Sequence, residues 1–321
     1  MSEKVFSQNK IAIIWDFDKT LIPDYMQKPL FEHFNIDPAQ FWKEVNTLHS
    51  YHKENGIDLV NSDTIYLNHM LSYVRAGKMK GLNNELFRQL GADLEFYPGL
   101  PNFFPNLKEK IKSNPRYGVH EIEIEHYVVS TGHRQMILGS ILAPYVEDVW
   151  ACEFVEDVPG PGYLEDDYEI PFNSRREISD VAYAIDNTSK TRAAFEINKG
   201  SNKHHIDVNA SISKSDRRIP FKNMIYIADG PSDVPVFSVI KSNGGKTYAV
   251  YKSGEAKEFN QVKNLNDQGR VDSFGEANYT DGSQTSMWIE TTAVEIAERI
   301  VAEKEAALGS KLGQAPGHIN S

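Results

Sequence analysis

The chain has 321 residues, 40% of them hydrophobic and 25% charged, with a formal net charge of -11. That length supports one substantial core and a second small one, and the acidic balance argues against nucleic acid or an anionic membrane as the main partner, leaving a small substrate open. A single cysteine, Cys152, excludes an internal disulfide and thiolate metal clusters and fits a reducing compartment.

The first ten residues, MSEKVFSQNK, hold no apolar leader, and no stretch approaches the roughly 18 apolar residues of a membrane span. A cytoplasmic protein without a membrane partner is expected, and the sequon-like triplets at Asn187, Asn209 and Asn278 are then chance. The first informative stretch is IAIIWDFDKTLIP, residues 11–23. Its apolar run predicts a buried strand that ends in Asp16 and Asp18 and turns at once.

Residues 24–96 read as helical. Asp37 and Pro38 form an N-cap and first-turn pair ahead of Phe41, Val45 and Leu48, with Gly56 as a stop. A second stripe, Leu67, Met70, Leu71 and Val74, stops at Gly77, and NNELFRQLG stops at Gly91. Further strands are expected at 122–130, 148–154, 223–229 and 246–251, with a helix through Ile137, Leu138, Ile141 and Leu142 and a last one carrying Ile289, Ala293, Ile296 and Ile300. Alternation of this kind predicts an α/β fold, a Rossmann-like parallel sheet flanked by helices. Cys152 reads as a core residue, and GGKT (244–247) lacks the leading glycine of a nucleotide loop because Ile240 stands there.

Spacing divides the chain. The first two strands of a wound sheet need only about 30 residues of crossover, so roughly 70 of those between Asp16 and Ser130 are surplus. The expected organisation is a core of residues 1–23 and 97–308, a helical cap over 24–96, and a polar tail over 309–321. Pro23 and YPGLP (97–101) are the expected hinges of a lid. The insertion 200–220 is polar and patternless, and His204 and His205 within it read as loop residues.

Ligands of a parallel sheet bind at the carboxyl ends of its strands. The first expected strand ends in Asp16 and Asp18, the second in Ser130 and Thr131, and the fourth in ADGPSD with Asp229 and Asp233, while Lys190 opens a helix in NTSKTRAAFEINKG. Carboxylates converging at one rim repel in a low-dielectric cleft and imply a bound cation, and oxygen-only ligands favour magnesium.

DFDKT, VVST, Lys190 and ADGPSD, in that order over residues 11–251, resemble the four motifs of the haloacid dehalogenase superfamily, in its phosphoserine-phosphatase-like branch. The resemblance also places a helical cap between the first two motifs. It implies a magnesium-dependent phosphomonoester hydrolase acting on a small phosphorylated metabolite. In such an enzyme Asp16 would attack phosphorus to form an aspartyl-phosphate, and Asp18 would act as general acid and base. Ser130, Thr131 and Lys190 would hold the phosphoryl oxygens, Asp16, Asp18, Asp229 and Asp233 would form the metal site, and Thr20 would brace the turn.

Two departures stand out. Ser232 replaces a common asparagine, and Tyr25, with Asp24 adjacent, occupies the position nine residues after the nucleophile where phosphoserine phosphatases place a glutamate. Phosphoserine is therefore not implied as the substrate. A phosphotransferase or phosphomutase with the same catalytic set is the alternative, and a non-catalytic binding protein on the same fold is a third. No oligomeric state is assigned.

Overall fold

The computed structural model describes residues 7–165, 176–204 and 206–312. Strand β1 (Lys10–Trp15) is followed by four helices, α1 (Lys28–His33), α2 (Pro38–Glu54), α3 (Ile65–Arg75) and α4 (Asn84–Gly91). Then come α5 (Phe103–Lys112), α6 (Pro115–Gly118), β2 (Glu123–His133), α7 (Arg134–Gly139), β3 (Asp148–Val155) and β4 (Asp180–Tyr183). The chain continues through α8 (Lys190–Lys199), β5 (Met224–Ala228), α9 (Val234–Ser242), β6 (Lys246–Tyr251), α10 (Ala256–Asp267), β7 (Ser273–Glu276) and α11 (Gln284–Leu312).

These strands form one sheet in the order β4-β3-β2-β1-β5-β6-β7, parallel except for the antiparallel edge strand β4. The fold is thus α/β and Rossmann-like. β1 lies at its centre because its apolar run can be buried on both faces, as a sheet with helices on either side requires. Trp15 closes it, stacked on Phe104 with ring centroids 5.0 Å apart and donating Nε1–H to His126 Nδ1 at 3.1 Å.

All five expected strands are present. The sheet adds β4 and β7, four residues each, whose lengths are too short for an alternation to show. Asp37 caps α2, its side chain accepting from Ala39 N at 2.9 Å, as its sequence position predicts. Some details differ from expectation: β2 runs on to His133 instead of ending at Ser130, and α5, α6, α9 and α10 are not among the helices expected from the sequence. Helix α1 has no counterpart among the expected helices, α7 ends at Gly139 and leaves Ile141 exposed, and α11 runs to Leu312 rather than stopping at Leu308. Residues 313–321 of the expected tail, and His205, lie outside the described residues.

Between β1 and β2, α2 and α3 pack through Phe41 against Tyr73, with ring centroids 5.2 Å apart. Helix α4 instead lies on α7, backbone against backbone. A Cβ on Gly91 would fall 2.1 Å from Met136 O, and one on Gly139 would fall 2.0 Å from Arg88 O. No helix among the described residues is long and apolar enough to cross a membrane.

Candidate active site

The register of the sheet assembles the site. Trp15 pairs with Val128 on one side and Ile227 on the other. One step further along the three strands, Asp16 comes level with the residues just before Ser130, which lies inside β2, and just before Asp229, which follows β5. The Asp16 N–H donates to Ile227 O at 2.9 Å. This is where the chain, having laid down β2 and β3 on one side of β1, crosses to lay down β5 on the other, the crevice where sheets of this kind bind ligands.

Lys190, Asp16 and Asp233 are 1%, 5% and 0% exposed, so their charges must be met by one another. Lys190 Nζ donates to Asp16 Oδ1 and to Asp233 Oδ1, each at 2.8 Å. Burial by itself would lower the Lys190 pKa, but the two carboxylates outweigh it and hold the ammonium well above its ordinary value. Asp233 also accepts from Tyr226 Oη at 2.6 Å and from Ser232 Oγ at 2.8 Å. The serine at the departing position thus binds the buried carboxylate directly.

The turn after β1 is tight. Lys19 adopts φ 59°, Leu21 N donates to Phe17 O at 2.8 Å, and Thr20 Oγ1 reaches Asp16 Oδ2 at 3.3 Å. Thr20 therefore braces the turn, and its carbonyl in turn accepts from Tyr279 Oη at 2.6 Å. The same turn brings Asp18 over the site, where Met26 N donates to Asp18 Oδ1 at 3.0 Å. Burial, and then the charge of Asp16, push the Asp18 carboxyl up to about 8. Asp16 itself is raised to about 6, by burial against the opposing pull of Lys190, with Asp233 adding to the rise.

Ser130 is buried and its Oγ accepts from Gly132 N at 3.0 Å; Thr131 offers its carbonyl to Tyr66 Oη at 2.7 Å. The Met26 side chain covers Gly132, where a Cβ would fall 2.3 Å from Met26 Cε.

Oxygens of Asp16, Asp229 and Asp233 lie within 4.8 Å of one another. Burial first, and then the charges of Asp16 and Asp233, raise Asp229 well above the carboxylate range. Among the described residues no donor reaches its carboxylate, and only its carbonyl is contacted, by Gln261. Buried carboxylates served by one shared lysine, with one carboxylate unmet, are a donor set that a hard divalent cation fits.

The structure therefore brings together Asp16, Asp18, Asp229, Asp233 and Lys190, with Ser130 on the neighbouring strand, while the contacts of Thr131 run through its carbonyl to Tyr66 and Cys152. It adds Tyr226, Tyr66 and Met26, which sequence reading does not single out. Tyr226 had a signal: a tyrosine in the middle of a buried strand needs a partner for its hydroxyl. Tyr25 is 52% exposed with its ring under Lys19 Nζ, 4.9 Å from the centroid. It borders a cavity of about 410 Å³ with Asp24, Lys28, Glu32 and Glu95, and none of the site aspartates lines that cavity.

No protein-family model matches the chain. A protein of Borreliella burgdorferi described as an uncharacterized protein is 42% identical over 286 residues, 88% of this chain and 96% of its own length. Among solved structures, a HAD-family hydrolase from Salmonella enterica serovar Typhi is 14% identical, over 83% of this chain and 66% of its own, with a TM-score of 0.46. A phosphoserine phosphatase in its apo form is 13% identical over 83% and 92%, with a TM-score of 0.48. A phospho-aspartyl intermediate analogue of phosphoserine phosphatase is 14% identical over 83% and 93%, with a TM-score of 0.46.

Proposed function

We propose that the chain, which belongs to one family with the Borreliella burgdorferi protein, is a magnesium-dependent phosphomonoester hydrolase on a fold of the haloacid dehalogenase type. Its substrate in this reading is a small soluble phosphorylated metabolite, and residues 24–96 form a cap over the site. The observation that carries the proposal is the buried Lys190 ammonium shared at 2.8 Å between Asp16 and Asp233, with Asp229 in the same acidic group and Asp18 near enough to feel the charge of Asp16.

Asp16 is the nucleophile. Lys190 fixes one of its oxygens, so the other can approach phosphorus in line and form an aspartyl-phosphate. Asp18, with its pKa near 8, carries a proton at neutral pH and gives it to the leaving alkoxide. The resulting carboxylate takes a proton from the water that hydrolyses the intermediate. Met26 N–H holds Asp18 in place for both steps. Ser130, Thr131 and Lys190 would hold the phosphoryl oxygens, whose charge needs fixed donors. Asp16, Asp229 and the Asp18 carbonyl, with Asp233 beside them, would hold magnesium, which supplies charge neutralisation at the phosphoryl group.

The test is hydrolysis of p-nitrophenyl phosphate. Magnesium-dependent turnover, abolished by EDTA and by Asp16→Asn, is expected, with acid-quenched radiolabel on Asp16. Turnover by Asp16→Asn at more than a few per cent of wild type, far above what nucleophile removal leaves, would refute the assignment.

A further inference from the structure

Lys190 ties the site together, yet nothing in its own helix puts it there. As the first residue of α8 it lies at the positive end of the helix dipole, where a cation is disfavoured. The start of α8 is fixed by the turn before it. Asp186 Oδ1 accepts from Ser189 N at 2.6 Å, Asp186 O accepts from Lys190 N at 3.1 Å, and Asp186 N donates to Ser189 Oγ at 2.7 Å. Only Oδ2 of the Asp186 carboxylate is left over, and a residue 125 positions away takes it: Asn61 Nδ2 donates at 3.0 Å. The next residue, Asn187, donates its N–H to Asp63 Oδ2 at 3.3 Å.

Asn61 and Asp63 belong to the turn that opens α3. Asp63 N donates to Asn61 Oδ1 at 3.0 Å, and Ile65 N donates to Asn61 O at 3.0 Å. In the first turn of the same helix, Tyr66 reaches Thr131. One end of α3 thus touches both β2, at Thr131, and the turn that launches Lys190.

We propose that Asn61 and Asp63 are positioning residues for Lys190: from the helical segment between β1 and β2 they fasten the 186–189 turn and so set the reach of the lysine to Asp16 and Asp233. The catalytic consequence rests on the phosphatase reading above, whereas the fastening rests on the hydrogen bonds alone. Both residues are exposed, so replacing them leaves the core intact.

The test uses the full chain with Asn61→Ala, Asp63→Ala, and the pair Asn61→Asp with Asp186→Asn, in which amide and carboxylate exchange places. Brief acylation by acetic anhydride, read by mass spectrometry on the Lys190 peptide, reports whether the amine stays buried. Labelling about tenfold faster than wild type is expected in either alanine variant, since protection reports local opening, and near wild type in the pair. With p-nitrophenyl phosphate, kcat should fall about tenfold in Asn61→Ala while KM moves less than about twofold, and the pair should recover, as expected when a reacting group is misplaced while substrate binding stays intact. Asn61→Asp alone, which sets two carboxylates face to face, should be the slowest form. Wild-type labelling and kcat in Asn61→Ala, or no recovery in the pair, would overturn the proposal. The expected labelling pattern with no turnover by any form, wild type included, would uphold the fastening and sink the phosphatase reading instead.

Discussion

Asp18 shows how far one hydrogen bond and one neighbour can define a role. It differs from Asp16 in lacking the lysine, and the contact it makes instead is the Met26 N–H. Replacing it by asparagine keeps the shape and removes the proton, so Asp18→Asn should lose about 10²- to 10⁴-fold in kcat, with the intermediate hydrolysing still more slowly than it forms. Rapid-quench measurement of labelled enzyme checks this, and an unimpaired hydrolysis step would contradict it. The raised carboxyls also make a statement about stability. Where folding raises an acid's pKa, the native state holds a proton that the unfolded chain has already lost, so stability falls as pH rises through the interval between the two values. For Asp18 that interval runs from 3.8 to about 8. His126 and His133, which burial lowers to about 3, act in the opposite direction, but only below their unfolded value of 6.5. Between pH 7 and 8 the carboxyls therefore act unopposed by histidine. The metal-free protein should lose stability there, at up to roughly 1.4 kcal/mol per pH unit for each proton held. Asp18→Asn should flatten the fall and magnesium should reduce it. Denaturant midpoints that do not move with pH in EDTA would contradict this.

At the scale of elements, α4 and α7 meet with a glycine on each side. Neither glycine has a positive φ, so the requirement is space rather than backbone freedom. Gly139→Ala should push the helices apart and cost about 1–3 kcal/mol, the usual penalty for overpacking a tight contact. Urea unfolding measures it, and a loss below about 0.5 kcal/mol, the scatter of surface substitutions, would show that the seam can give way. The seam also bears on the expected hinges. Segment 97–101 is pinned at three points: Tyr97 N donates to Leu21 O at 3.0 Å, Tyr279 N donates to Pro98 O at 2.8 Å, and the Gly99 backbone lies against that of Tyr279. With α4 fixed on α7 and this segment clamped, the chain is held on the core where residues 24–96 rejoin it. The insertion 200–220, patternless in sequence, is anchored where it rejoins the core and closed across its base. Arg218 donates to both oxygens of Glu125, at 2.5 and 2.7 Å, and Asn198 Nδ2 donates to Ile219 O at 2.7 Å.

For the whole molecule, the apolar residues of the helical segment and those of the sheet form one continuous cluster, from Ile11 and Phe104 through Met26 and Leu30 to Phe41 and Met70. Unfolding should accordingly be a single transition, with calorimetric and van't Hoff enthalpies in agreement. Two resolved transitions would show that the helices of residues 24–96 are an independent unit.

What the sequence by itself determined is local. The apolar run of β1 ending in two aspartates, the Asp37 cap of α2 and the place of Lys190 at a helix start all follow from spacing within a dozen residues, where backbone periodicity and capping chemistry act directly. The resemblance joined those pieces into a site. Only the tertiary structure decided what depends on register and approach between distant segments: the level of Asp16 against Ser130 in β2 and the end of β5, the Tyr226 hydroxyl on Asp233, the glycine seam of α4 and α7, and the reach of Asn61 to Asp186. Such contacts leave no periodic trace along the chain, because each is one polar or small residue whose partner is chosen by how the sheet and its helices close together.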